Sequence, residues 1–352
     1  PEFDLIICDE AHRTTGVTLA GADESHFQKV HDNDFLPADR RLYMTATPKI
    51  FADDTKQKAA EVSAVLASMD NPEVFGPVFH RLGFGKAVEQ GLLADYRVLI
   101  LTVDEQFVAK GWQQMLADAD NELTLDDAAR IVGCWNGLAK RSKTFTDPVT
   151  GQVIGFPPDA APMRRAVAFS QTIKASKALA DKFGDVTASY TGDHAPDLRC
   201  EVEHVDGTMN SLTRNDKLSW LKADTDPDVC RILSNARCLS EGVDVPTLDA
   251  VLFLTPRNSV VDVVQSVGRV MRSAPGKDYG YVILPVAIPE GMSPEEALRD
   301  NKRYKVVWQV LQALRAHDDR FNATINKIEL PTTHQPPPAA AHRQSTPAAC
   351  AA

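Results

Sequence analysis

The sequence lacks the features that would place it in a membrane, in a secreted class or among zinc-binding proteins. No apolar run approaches the roughly 18 residues of a membrane helix, and no basic segment followed by an apolar one opens the chain. The six cysteines show no C-x-x-C spacing, which argues against a zinc site or a disulfide framework. We therefore expect a cytoplasmic protein without a membrane partner.

The chain also has no excess of basic residues. Its 352 residues carry a formal net charge of −10, which disfavours non-specific binding of polyanions but leaves open a nucleic-acid track confined to one cleft. With 43% hydrophobic and 24% charged residues, it has the composition of a globular protein with room for two cores. The sequence starts at Pro1, directly ahead of a strand-like segment, so we expect it to be part of a longer polypeptide.

Short apolar segments alternate with amphipathic ones, which predicts α/β lobes with parallel sheets covered by helices. The predicted strands are 3–8, 41–44, 96–102, 165–169, 202–205, 230–233, 249–254 and 279–284. The predicted helices are 55–69, 84–91, 172–183, 210–222, 259–272 and 294–316, with a mostly helical stretch at 105–141 and a loop at 144–162. Functional side chains are expected beyond the carboxyl ends of the strands. The Pro- and Ala-rich tail, 331–352, contains no acidic residue and is expected to be disordered.

Two adjacent carboxylates, Asp9 and Glu10, follow the first predicted strand and precede Ala11 and His12. This pattern suits a nucleoside triphosphatase, because one carboxylate can hold Mg²⁺ while the other orients or deprotonates the attacking water. Adjacent acids at a strand end are also the ordinary pattern of a solvated loop. The apolar run before the pair and the histidine after it favour the triphosphatase interpretation.

A second candidate is Thr45-Ala46-Thr47-Pro48, at the end of the next predicted strand. The hydroxyls of Thr45 and Thr47 could bond the acidic cluster and relay the state of a nucleotide. A hydroxyl-rich turn before proline would give the same pattern.

The predicted helix 259–272 separates an apolar face from a polar face. At about 100° per residue, one face carries apolar side chains throughout. These are Val260, Val263, Val264, Val267 and Met271. The opposite face carries Gln265, Arg269 and Arg272, and such arginines can neutralise the charge that develops in phosphoryl transfer. The alternative is that both arginines are solvated surface residues.

Two loops offer further candidate contacts. In the segment 234–246, Gly242 permits close backbone approach to a ligand and Asp244 could accept from a ribose hydroxyl or steady an arginine. Candidate contacts to nucleic-acid phosphates are Ser170, Gln171, Ser234, Asn235 and Arg237. Ordinary turns would also account for these loops.

Taken in order, these segments resemble the motifs of superfamily 2 helicases and translocases. Asp9–His12 resembles the DEAH form of motif II and Thr45–Thr47 motif III. Phe169–Thr172 resembles motif IV, Leu239–Pro246 resembles motif V and Gln265–Arg272 resembles motif VI. Three further runs are similar to restriction-type members of this superfamily, namely Phe75–Tyr96, Ile232–Phe253 and Trp308–Arg320. The last two of them resemble the motor of type ISP restriction-modification enzymes.

The resemblance implies two RecA-like lobes with ATP and Mg²⁺ between them, acting on double-stranded DNA. It would make 1–103 the later part of the first lobe, 104–162 a helical connection and 163–330 the second lobe. Asp9 would position Mg²⁺, Glu10 would activate water, and Arg269 and Arg272 would reach across from the second lobe. Nuclease or methyltransferase modules of a longer polypeptide are the expected partners.

The sequence departs from this family at one point. It contains no G-x-x-x-x-G-K-[ST] loop, which would supply a backbone cradle for the triphosphate, a lysine and a hydroxyl on Mg²⁺. We therefore expect the first lobe to be incomplete and the isolated chain to hydrolyse ATP negligibly. The alternative function is that of a non-enzymatic remnant that binds DNA or a partner. A metal-dependent hydrolase built on the acidic pair would leave the Gln/Arg helix without a role.

Overall fold

The computed structural model describes most of both predicted lobes. The described residues are 2–18, 25–62, 64–105, 124–141, 145–146, 153–154, 156–157, 160–191, 198–236, 245, 247–255, 259–288, 305–318 and 320. Arg237, Gly242 and Asp244 lie outside them. So do the predicted tail, much of the predicted helical stretch at 105–141 and the first part of the predicted helix 294–316.

The elements alternate as the sequence pattern predicts. The strands are β1 (Phe3–Cys8), β2 (Gly16–Thr18), β3 (Ala38–Tyr43), β4 (Val65–Ala67), β5 (Asp95–Asp104), β6 (Phe145–Thr146), β7 (Val153–Ile154), β8 (Arg165–Phe169), β9 (Arg199–Val205), β10 (Val229–Asn235), β11 (Ala250–Phe253) and β12 (Tyr279–Ile288). The helices are α1 (Asp53–Glu61), α2 (Pro72–Phe75), α3 (Phe84–Glu89), α4 (Leu125–Leu138), α5 (Ile173–Thr191), α6 (Ser211–Lys222), α7 (Val260–Val270) and α8 (Lys305–His317).

A six-stranded parallel sheet forms the centre of the second lobe, with strand order β5-β12-β11-β8-β10-β9. The central strands are short and apolar, and β8 and β11 are buried along their whole length. Such runs are typical of strands covered on both faces. The carboxyl ends of the strands therefore meet at one edge, where the candidate side chains of the second lobe are expected.

Alternate residues of these strands enter two separate cores. Val167, Phe169 and Phe253 pack with α7 and α8 on one face of the sheet. Ala166, Ala168 and their neighbours pack with α4 and α5 on the other face. The valine-rich segment of α7 is helical although valine favours strands, because its apolar side chains lie on one side of the helix and pack against a face of the sheet.

The second lobe starts earlier than the expected boundary at residue 103. Strand β5 pairs with β12 along its length and is therefore an edge strand of the second sheet. Helix α4, expected in a connecting region, packs on the same sheet, and the buried Trp135 indole donates to the carbonyl of Leu198 at 2.9 Å. The expected loop at 144–162 contains the short antiparallel pair β6–β7.

The first lobe has a smaller sheet. Strands β1 and β3 pair in parallel, and Phe3, Leu5 and Ile7 on one face of β1 are exposed. The predicted helix 55–69 is wrong beyond Glu61, because Val65–Ala67 instead pairs antiparallel with β2. Within the described residues, this lobe is therefore an incomplete version of the second.

Candidate functional site between the lobes

The acidic pair lies in a tight turn at the carboxyl end of β1. The Asp9 carboxylate accepts from the backbone N–H of Glu10 at 2.8 Å. Glu10 itself has a left-handed backbone, with φ 49° and ψ 44°. Residues other than glycine adopt this conformation at a cost of about 1–3 kcal/mol, and it recurs at functional sites.

The DEAH-type and Thr-Ala-Thr segments are in direct contact. His12 Nδ1 lies 3.1 Å from Thr45 Oγ1, so the two side chains are hydrogen-bonded. The Thr45 oxygen also accepts from the backbone N–H of Thr47 at 3.1 Å. Thr47 is buried, and its own hydroxyl has no hydrogen-bond partner among the described residues. The two segments therefore meet through His12 and Thr45, whereas neither threonine hydroxyl bonds a carboxylate of the acidic pair.

The Glu10 carboxylate uses its two oxygens differently. His12 Nδ1 lies 3.3 Å from Glu10 Oε2, close enough for an ion pair when the imidazole is charged. That nitrogen already faces Thr45, and Glu10 Oε2 is a buried acceptor to which no described group donates. This oxygen is enclosed, so the imidazole of His12, rather than solvent, is the polar group that lies beside it.

Helix α7 presents a polar face towards this turn. Its first turn is capped by the Ser259 hydroxyl, which accepts from the Asp262 N–H at 3.4 Å. Four apolar side chains of the helix face the core, namely Val263, Val264, Val267 and Val270. Val260, predicted on that face, is the first residue of the helix and is exposed.

Gln265 joins the two lobes. Its side-chain Nε2 donates to Glu10 Oε1 at 3.0 Å, across 255 residues of sequence. The geometry therefore brings Glu10 of the acidic pair into direct contact with the Gln-x-x-Gly-Arg helix. A carboxylate acceptor makes this bond stronger than one between neutral groups.

The two arginines of this segment lie further along. Arg269 is half-buried in the last turn of α7 and lines a small cavity beside Val167 and Phe169. Arg272 lies two residues past the end of the helix, because α7 stops at Val270 rather than at 272 as predicted. Its backbone forms a bridge with Leu93, in the segment that joins the lobes. Gln265 thus contacts the acidic pair, whereas Arg269 lines a cavity of the second lobe and Arg272 lies beside the interlobe connection.

The predicted nucleic-acid contacts of the second lobe divide into two groups. Ser234 and Asn235 are fully buried, and the Asn235 amide donates to the carbonyl of Ala168 at 3.0 Å. Their side chains cannot reach a ligand, so the prediction for these two residues is corrected to an internal role. Ser170 is buried at the wall of a cavity, and Gln171 is exposed at the same edge.

A cavity of about 210 Å³ lies between the start of α5 and helix α4. Two cationic side chains that the motif analysis missed line it: Arg130 from α4 and Lys174 from the first turn of α5. Arg130 is held by an ion pair with Asp126 at 2.8 Å. Arg130 lies in no recognisable motif, so its position could be found only once α4 was known to pack on the sheet.

The chain folds into two RecA-like lobes, of which the first is incomplete, and it is similar to superfamily 2 helicases. Two family models match the chain accordingly. The helicase conserved C-terminal domain matches residues 152–274, and the type III restriction enzyme, res subunit, matches residues 1–50. These ranges cover the second-lobe strands β8 to β11 with α7, and the β1–β3 part of the first lobe.

More specific relatives come from restriction enzymes and a virus. The ATP-dependent type ISP restriction-modification enzyme LlaBIII, solved bound to DNA, is 45% identical with a TM-score of 0.76; the match covers 94% of this chain and 21% of that one. The probable helicase A859L of African swine fever virus (isolate Pig/Kenya/KEN-50/1950) is 26% identical over 91% of this chain and 30% of its own length. The chain thus spans less than a third of either relative. No helix among the described residues is both long and apolar enough to span a bilayer.

Proposed function

We propose that the chain is the motor of an ATP-dependent DNA translocase or helicase of the restriction-modification type. The observation that supports this proposal is the Gln265–Glu10 bond, which joins the acidic pair to the Gln/Arg helix of the second lobe. The similarity to LlaBIII, which is ATP-dependent and was solved bound to DNA, supports ATP and double-stranded DNA as ligands. Nuclease or methyltransferase modules and a cytoplasmic location are part of the same proposal.

The donor groups present suit the acidic half of a nucleotide site. Mg²⁺ would supply the positive charge that bridges the phosphates, and Asp9, whose carboxylate is exposed at the strand end, would hold it. Glu10 would orient or deprotonate the attacking water. Arg269 and Arg272 would face the phosphates from the second lobe. His12 and Thr45 would report the state of this site to the rest of the first lobe.

The phosphate-binding half of the site has no counterpart in the sequence. We therefore predict negligible ATP hydrolysis by the isolated chain. Turnover that is stimulated by DNA and abolished by Glu10→Gln in the isolated chain would contradict this prediction.

The proposal is tested by a chimera in which residues 1–330 replace the matched region of LlaBIII. We expect DNA-stimulated ATP hydrolysis by the chimera. Glu10→Gln should reduce kcat by roughly 10²–10⁴-fold, as for loss of a general base, and Arg272→Ala by about 10³-fold or more. Arg199→Ala is the matched control, because Arg199 is exposed at the amino edge of the second sheet, where β9 begins. A chimera that folds and hydrolyses ATP equally well with Arg272→Ala would refute the assignment.

A non-enzymatic binding module is the second candidate. The missing phosphate loop and the exposed apolar face of β1 favour it. Duplex binding by the isolated chain, together with a folded chimera that shows no ATP hydrolysis, would select this alternative.

A further inference from the structure

A chain of four buried polar side chains crosses the carboxyl edge of the second sheet. Asp206 Oδ2 lies 2.8 Å from His204 Nε2, and His204 Nδ1 lies 2.7 Å from Ser176 Oγ. Ser176 Oγ is in turn 2.6 Å from Ser234 Oγ. These four side chains do not belong to a single sequence motif.

The Asp206 carboxylate forms the charged end of this chain. Asp206 accepts from both the backbone N–H (2.8 Å) and the hydroxyl (2.5 Å) of Thr208. The hydroxyl bond from Thr208, followed by that from His204, holds the pKa of Asp206 well below its usual range. The carboxylate therefore accepts from His204 Nε2, and the contacts of Nδ1 with Ser176 and of Ser176 with Ser234 continue the hydrogen-bonded chain.

The order Asp–His–Ser is also that of a nucleophilic triad, but burial excludes this role. Ser176 and Ser234 each have 0% of their surface exposed, and Asp206 has 2%. A substrate carbonyl cannot reach either hydroxyl, whereas a nucleophile must contact the reacting atom. The network is therefore internal to the lobe.

Its members hold three elements together next to the candidate DNA contacts. Ser176 belongs to the first turn of α5, His204 to the end of β9 and Ser234 to the end of β10. The residue after Ser234 continues the connection, because the carbonyl of Asn235 accepts from the backbone N–H of Ser170 at 2.9 Å. Ser170 opens the turn that exposes Gln171 and leads into α5.

We propose that the Asp206–His204–Ser176–Ser234 network is a positioning device for the turn Ser170–Thr172, which it holds in the conformation that contacts the backbone of duplex DNA. Satisfied buried networks rigidify the elements that they join, since each unpaired member would be costly. This inference rests on the proposed function for its ligand. The positioning itself depends only on the hydrogen bonds within the second lobe.

The test uses the isolated chain and a fluorescent DNA duplex, with binding followed by anisotropy. Ser176→Ala breaks the network and should weaken binding about tenfold, because only about a tenth of the free chain would then hold the turn in its binding conformation. Thr187→Ala is the matched control, because Thr187 is a buried residue on the same helix whose hydroxyl donates to carbonyls of that helix, and it should change affinity less than twofold. Thr208→Val, at the exposed end, loosens Asp206 without opening a cavity and should act in the same direction as Ser176→Ala.

Amide hydrogen exchange at Ser170 provides a measurement that does not require DNA. The exchange rate should increase in Ser176→Ala and Thr208→Val but not in Thr187→Ala. Equal effects of Ser176→Ala and Thr187→Ala on both affinity and exchange would overturn the inference. If the wild-type chain fails to bind duplex DNA, the DNA-binding part of the proposed function fails, and the exchange rates alone then decide whether the network positions the turn.

Discussion

Three glycines of the second lobe differ sharply in the space around them, which makes Gly→Ala a graded test of the packing that positions α7. A Cβ on Gly280 would overlap the carbonyl oxygen of Val270, in the last turn of α7, and would lie 2.8 Å from its carbonyl carbon. A Cβ on Gly137 would meet the side-chain ends of Leu101 and Ile283 at 2.6 and 2.9 Å. A Cβ on Gly184, in α5, would have no neighbour within 4 Å.

These distances set the expected free energies of unfolding. The methyl group added by Gly280→Ala would push against backbone that cannot rotate away, so this change should cost about 3 kcal/mol or more and displace the end of α7. The methyl group added by Gly137→Ala would meet other methyl groups that can change rotamer, so that change should cost about 1–2 kcal/mol. Gly184→Ala should instead stabilise by about 0.5–1 kcal/mol, because alanine replaces glycine in an open helical position.

Urea unfolding followed by far-ultraviolet circular dichroism measures these effects. The midpoints should fall in the order Gly184→Ala, wild type, Gly137→Ala and Gly280→Ala. In the LlaBIII chimera, Gly280→Ala should also lower ATP hydrolysis. The change displaces the end of α7, and with it Arg269 and Arg272, which are proposed to face the phosphates. A Gly280→Ala midpoint at or above that of Gly137→Ala would refute the claim that close backbone approach fixes α7.

Three further predictions concern single contacts. Burial lowers the pKa of Lys277 to about 8, against the attraction of Asp249. The folded state therefore binds fewer protons than the unfolded state between about pH 8 and the ordinary value of 10.5, and the urea midpoint of the wild type should rise with pH across this window relative to Lys277→Met. Gln265→Glu should reduce ATP hydrolysis by the chimera more than Gln265→Ala does, because it sets a second carboxylate against Glu10; equal rates would contradict the interlobe bond. Trp135→Phe should lower the free energy of unfolding by about 1–3 kcal/mol, as measured in urea, because the Leu198 carbonyl loses its donor.

Much of the second lobe could be predicted from the sequence because its signals are local. The apolar run of β8 and the 3.6-residue period of α7 are each contained in one short segment. The assignment of β5 to a lobe is different, since it depends on pairing with β12, far along the chain, and that register leaves no local pattern. The predicted helix 55–69 includes the segment of β4 for the same reason, because the pairing of β4 with β2 also leaves no local pattern.

The candidate site shows the same division between local and distant information. Periodicity places Gln265 on a polar face but does not say what the face meets; the partner comes only from the resemblance to superfamily 2. Ser234 and Asn235 are predicted to contact DNA because polar residues after a strand have the same pattern whether they face solvent or the interior. Their burial depends on other elements of the chain, since Ser234 bonds Ser176 of α5 and the Asn235 amide donates to the carbonyl of Ala168 in β8.

The strained backbone of Glu10 explains how a two-stranded sheet can still present the acidic pair. The ladder between β1 and β3 continues past the strand ends, where the N–H of Met44 donates to the carbonyl of Cys8 and the N–H of Ala11 donates to the carbonyl of Met44, each at 2.9 Å. With Asp9 bonded to the Glu10 N–H, these contacts bracket the left-handed residue on both sides and offset its conformational cost. The geometry of the turn is therefore set within the first 44 residues, independently of any further strands of the first sheet. What the second lobe adds is the Gln265 donor, so the Gln265–Glu10 bond is the contact through which relative movement of the lobes would change the environment of the acidic pair.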